Sequence, residues 1–136
     1  MSNNGLISVE SHFGVGETID RLVATVTGAG LRVFARIDHA AGAREVGAAL
    51  RPTELLIFGH PKGGTPLMHD RQLAGIDLPI RALAWEDEQS KVWLSYNDAH
   101  WLAGRHGLGD ASREAVAAIA AGMQKVVAAA AGVDRA

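Results

Sequence analysis

"PIRALAWEDEQSKVWLSYN", residues 79 to 97, holds two β-like runs, PIRALAWED (79–87) and KVWLSYN (91–97), around the polar break EQS. Apolar and aromatic runs divided by a few polar residues read as a β-hairpin. Hairpin partners are antiparallel. Just upstream, TELLIFG (53–59) is a continuous apolar run that suits a strand covered on both faces. Three such strands close together in sequence set the class, an antiparallel sheet with helices on one face.

Outward from this core, LRVFARID (31–38) alternates. Leu31, Val33, Ala35 and Ile37 point one way, and Arg32, Phe34, Arg36 and Asp38 point the other, toward water or a partner. LISVES (6–11) is a short first strand. ETIDRLVATVTGAG (17–30) is a helix with Ile19, Leu22, Val23 and Val26 on one side and Gly28 and Gly30 to stop it. HAAGAREVGAAL (39–50) predicts a short helix, weakened by its two glycines. Residues 60–78, rich in glycine and proline, read as irregular, with a helical turn at 67–72. DASREAVAAIAAGMQKVVAAAAG (110–132) gives the strongest helix, capped by Asp110 or Ser112, with Val116, Ile119, Ala120, Met123, Val127 and Ala130 inward. The expected order is β-α-β-β-β-β-α with a short extra helix near 39–50, in a single α+β domain spanning residues 1–136.

Composition excludes several functions. Apolar residues make up 48% and charged residues 21%, a globular balance. Thirteen basic against fifteen acidic side chains leave a net charge of −2, without the basic footprint of a nucleic-acid binder. The chain has no cysteine, which removes thiolate catalysis and cysteine metal sites. MSNNGLISV lacks a basic n-region, and Gln124 and Lys125 interrupt the alanine-rich tail. The expectation is a cytoplasmic protein with no membrane partner.

The loop GHPKGGTPLM (59–68) invites comparison with a phosphate cradle, and fails it. A P-loop places its lysine after the glycines, whereas Lys62 precedes Gly63 and Gly64, and Pro61 and Pro66 remove two backbone donors. If Pro66 opens a helix, the N–H groups of Thr65 to Met68 form a modest anion site beside Lys62. Lys62 stands out as one of three lysines among thirteen basic residues. The six histidines show no metal-ligand spacing, so no metal site is assigned. Glu86, Asp87 and Glu88 read as a solvated turn, and Trp93, Tyr96 and Trp101 as an aromatic cluster. Phe34 with Arg32 and Arg36 could form half of an isologous dimer face.

The blocks RIDHA, LRPTELLIFGHPKGGTPLM, GIDLPIRALAWED, KVWLSYND and LAGRHGL together resemble the bacterial and archaeal family known as domain of unknown function 302. The resemblance runs from about Ser8 into the final helix. It implies a fold similar to that of the TATA-binding protein, with a curved antiparallel sheet, and it implies a homodimer. Where family members usually carry Asn, this chain has His60, a departure that lowers interest in that residue. The matching blocks place polar residues at loops and strand ends, where sites tend to lie. From these comes the expected pocket, in which Lys62 and Arg51 hold an anionic group while Asp38, His39 or Asp98 orient it, with Thr65 alongside. The leading expectation is a homodimeric binder of a small anionic molecule. The alternative is a small enzyme, metal-dependent or not, using Asp38, His39, Lys62 and Asp98. No cofactor is indicated.

Overall fold

The computed structural model describes residues 4–133. Its strands are β1 (Leu6–Ser11), β2 (Arg32–Asp38), β3 (Thr53–Gly59), β4 (Ile80–Glu86) and β5 (Val92–Asn97). They form one antiparallel sheet in the order β1-β5-β4-β3-β2. The helices are α1 (Val15–Gly28), α2 (His39–Glu45), α3 (Pro61–Asp70), α4 (Ala99–His106) and α5 (Arg113–Ala131), with 3-10 turns at Gln72–Asp77 and Asp110–Ser112. This is the α+β class that the hairpin indicates.

Register separates two faces. Ile7, Tyr96, Ala82 and Leu56 lie in one row across β1, β5, β4 and β3, and this face is covered by α1 and α5. Ile19, Leu22 and Val26 of α1 meet Leu56, Phe58 and Leu94 of the sheet and Val127 and Ala130 of α5, all essentially inaccessible to water. Each large apolar side chain so buried contributes about 1.5–3 kcal/mol. The C-terminus of α5 is closed by Gly132, left-handed at φ 77°, and by Arg21 of α1. The Arg21 Nε and Nη2 donate to the Ala130 and Ala129 carbonyls at 3.0 and 2.9 Å. A cation there opposes the negative end of the helix dipole.

Several local expectations change. The first helix runs Val15–Gly28 rather than 17–30, and the short second helix stops at Glu45, where Gly47 takes φ 78°. Residues 60–78 are not irregular, because α3 begins at Pro61 with proline at its tolerated first position. Pro66 lies inside that helix and does not open it. Its ring nitrogen faces the first turn, so only the Lys62 carbonyl loses an i,i+4 donor. Helix α4 is absent from the expected order, although Asp98 caps it and Gly107 ends it at φ 65°. Neither Asp110 nor Ser112 caps α5 with its side chain; the Ser112 hydroxyl donates instead to Asp70 at 2.7 Å.

Strand β2 departs from strict alternation. The pairing skips Phe34, since Val33 faces Phe58 and Ala35 faces Ile57. One extra residue resets the side-chain phase. Leu31 therefore packs on the core before the bulge, while after it Arg36 lies level with the buried Leu56. Arg36 donates to Asp20 at 2.7 Å and Glu54 at 2.9 Å. Ala35 and Ile37 consequently face away from α1 and α5. The expected dimer face of Phe34, Arg32 and Arg36 does not exist as one surface turned outward.

Candidate functional site

An apolar groove of about 780 Å³ lies at the end of the sheet formed by Gly59, Ile80 and Leu31. Phe58 and Ile80 floor it, and Leu31 and Phe34 close one side. Helix α5 forms a wall through Ala118, Ile119, Gly122 and Met123, while α3 forms the opposite one through His60, Lys62, Thr65 and Met68. The groove exists because α1 ends at Gly28, short of this corner, and because α5 presents alanine and glycine where larger side chains would fill the gap. Its size lies within the roughly 300–1,000 Å³ range of small-molecule sites.

One end of the groove is polar. The His60 Nδ1 accepts from the Lys62 N–H at 3.0 Å and caps α3. The Gly63 and Gly64 N–H groups both donate to the His60 carbonyl, at 3.0 and 3.3 Å. The helix start is thus satisfied from within, and the anion site expected from the amides of Thr65 to Met68 is absent. The charge at this end is the exposed Lys62 ammonium, which no carboxylate pairs among the described residues. The family usually has Asn where this chain has His60. Asn is a leading N-cap residue, and an unprotonated imidazole nitrogen serves the same purpose.

The remaining candidates are not brought to this groove as one constellation. Lys62 and Thr65 line it. Asp98 lies at the same end of the sheet, but its carboxylate caps α4 by accepting from the His100 N–H at 3.0 Å. Asp38, His39 and Arg51 sit at the opposite end. Asp38 pairs with Glu54 while Arg32 pairs with Gly59, five residue steps apart along β3, roughly 17 Å. The Asp38 carboxylate caps α2 through the Ala41 N–H, and the Arg51 Nε donates to the Glu86 carbonyl. Within one chain, strand length therefore keeps Asp38 and His39 apart from Lys62 and Asp98. Among the described residues no three His, Asp or Glu side chains group as metal ligands.

One polar cluster goes unread in the sequence, and a second differs from its sequence reading. Asp77 accepts from Arg105 at 3.2 Å and meets the nearly buried His106 Nε2 at 2.6 Å, tying α4 to the preceding 3-10 turn. Asp87 organises the hairpin turn rather than lying solvated there. It accepts from the Trp93 indole and from the Gln89 and Lys91 N–H groups, each at 2.9 Å. The indole hydrogen bond, followed by the Lys91 amide, holds its carboxyl below the ordinary range. Trp93, Tyr96 and Trp101 do not cluster: Tyr96 is in the core, Trp93 is on the other face, and Trp101 packs over Gly5.

Among the described residues one stretch, Asp110–Ala131, is long and apolar enough to cross a membrane by length and composition; here Met123, Val127 and Ala130 on its inner side belong to the core. Over 130 residues the chain is 53% identical to "Fluoride-specific ion channel FluC 1" of Brucella suis biovar 1 (strain 1330), covering 96% of this chain and 51% of that protein. "Fluoride-specific ion channel FluC 2" of Brucella melitensis biotype 1 is also 53% identical over 130 residues, covering 96% and 48%. The chain thus spans about half the length of these curated relatives. Its fold matches a crystal structure of an uncharacterized conserved DUF302 protein from Bacillus stearothermophilus, with a TM-score of 0.78 at 21% identity, covering 97% of this chain and 99% of that one. The model of "Domain of unknown function DUF302" matches residues 7–130, and the chain belongs to that family.

Proposed function

We propose that this domain binds a small amphipathic anion, with its apolar body in the groove and its charged end at Lys62, and that it does so as a homodimer. The observation that carries this is the groove itself, apolar along its length and ending beside one unpaired cation. Apolar walls supply most of the binding free energy, about 0.8 kcal/mol per buried methylene. Lys62 then selects the sign of the head group. Of the polar side chains that line the groove, His60 has its Nδ1 engaged as the cap of α3, which favours binding over chemistry.

Calorimetric titration with dodecanoate, dodecyltrimethylammonium and inorganic sulfate tests the assignment. Dodecanoate should bind, the cation of equal tail length should bind at least about tenfold more weakly, and sulfate should not bind measurably. Lys62→Ala should erase the difference between the two amphiphiles without moving the melting temperature. Equal affinity for both amphiphiles in the wild type would refute the role of Lys62.

A second reading takes the anion from the names of the Brucella relatives, with fluoride itself held at Lys62. Fluoride is small and strongly hydrated, and an apolar groove offers it few donors. A fluorine-19 titration showing saturable broadening that Lys62→Ala abolishes would favour fluoride over the amphiphile.

A further inference from the structure

We infer that the sheet face turned away from α1 and α5 is the surface on which two copies of this chain pack together. This rests on the homodimer proposed above and gives it a location. An antiparallel sheet with one solvated face ordinarily alternates apolar-in and polar-out. This one does not. Ile37, Leu55 and Leu83 form a continuous apolar row across β2, β3 and β4, and Trp85 lies beside Trp93 in the adjoining row. All five retain exposure to solvent, Ile37 at 39%.

The polar atoms at the centre of this face are already engaged with one another. The Trp85 indole donates to the Ser95 hydroxyl at 2.9 Å, Ser95 meets Ser8 at 2.6 Å, and the Trp93 indole donates to Asp87. Covering the face therefore strands few donors or acceptors, and unmet polar groups are the chief cost of burying a surface. Charges stand toward its margins and are of both signs: Glu10 on edge strand β1 and Asp87 at the hairpin are acidic, while Arg81 near the end of β4 and Arg32 at the start of β2 are basic. A second copy thus meets no net like-charge field, and an apolar centre with a polar rim is the usual anatomy of a protein interface. Five strands of about six residues give a footprint of roughly 24 by 20 Å, and side-chain relief raises the accessible area toward the roughly 800 Å² per partner of a stable interface. Aligned sheet-on-sheet packing is an established way to cover such a face.

Light scattering on a sizing column and sedimentation equilibrium, both at micromolar concentration, test the assignment. The wild type should run at twice the 14.3 kDa chain mass. Leu83→Lys and Ile37→Lys should weaken the dimer by at least about a hundredfold, because each buries an unpaired ammonium. Ile37 lies on an edge strand, so its variant decides the matter if Leu83→Lys fails to fold. In a Trp101→Phe background, diluting the dimer to monomer should red-shift the emission of Trp85 and Trp93. A wild-type dimer that both variants leave intact, or emission unchanged through dissociation, overturns this face while leaving the homodimer standing. A monomeric wild type overturns both.

Discussion

Gly122→Leu separates the groove from the stability of the fold, because the two should move in opposite directions. Gly122 lies in the middle of α5, is exposed, and lines the groove; a Cβ built there meets nothing within 4 Å. Glycine inside a helix costs about 0.8–1 kcal/mol relative to alanine, and leucine is close to alanine. Packing the new side chain against groove walls adds further burial, so the helix term is a floor. For a domain of this size that floor corresponds to a rise in melting temperature of about 3 °C. The same leucine occupies space meant for ligand. Displacing about three methylenes of a bound tail, at about 0.8 kcal/mol each, lowers affinity on the order of 50-fold. Scanning calorimetry and titration with dodecanoate on the same preparation read both quantities. Raised stability with unchanged dodecanoate affinity would show that the tail does not lie along α5. A lowered melting temperature would show that the gap is needed by the fold and is not a site.

Three further outcomes follow from particular contacts. His60→Ala should cost about 1 kcal/mol through loss of the α3 cap, whereas His60→Asn should stay within a few tenths, as thermal melts of both variants will show. Asp77→Ala should cost about 1–3 kcal/mol in denaturant unfolding, since it strands the nearly buried His106 beside Arg105. The Asp70 carboxyl is held below its ordinary range, first by the Gly109 N–H and then by the Ser112 hydroxyl. A depressed folded-state value means that its contribution is complete above the unfolded value of about 3.9 and is lost as pH falls through the folded value. Melting temperatures from neutral pH down to about pH 2 should fall less steeply on the acid side for Asp70→Ala; an identical slope would remove Asp70 from the account.

Local pattern carried the fold. Hairpin-spaced apolar runs announced β3, β4 and β5, and periodic apolar positions announced α1 and α5, because alternation and helical period are properties of a few consecutive residues. Helix α4 went unread although its signals stand in the usual order, Asp98 to start it and Gly107 to stop it. The glycines and Pro66 hid α3, whose formation depends on a cap from His60 and on packing against α5 rather than on propensity.

Lys62 and Thr65 could be singled out from sequence as polar residues after a buried strand. Asp38, His39 and Arg51 were indistinguishable from them by that test, and only strand register puts these three some 17 Å away. Register also decides which side chains share a face, and a single bulge at Phe34 reverses the assignment of Arg36 and Ile37. The sequence by itself determined the five strands, α1, α2 and α5, and the antiparallel class, because those follow from short-range chemistry. Where the groove opens, what lines it, and which sheet face stays bare were decided by tertiary structure alone: each depends on how far one helix reaches across strands that lie distant in the chain.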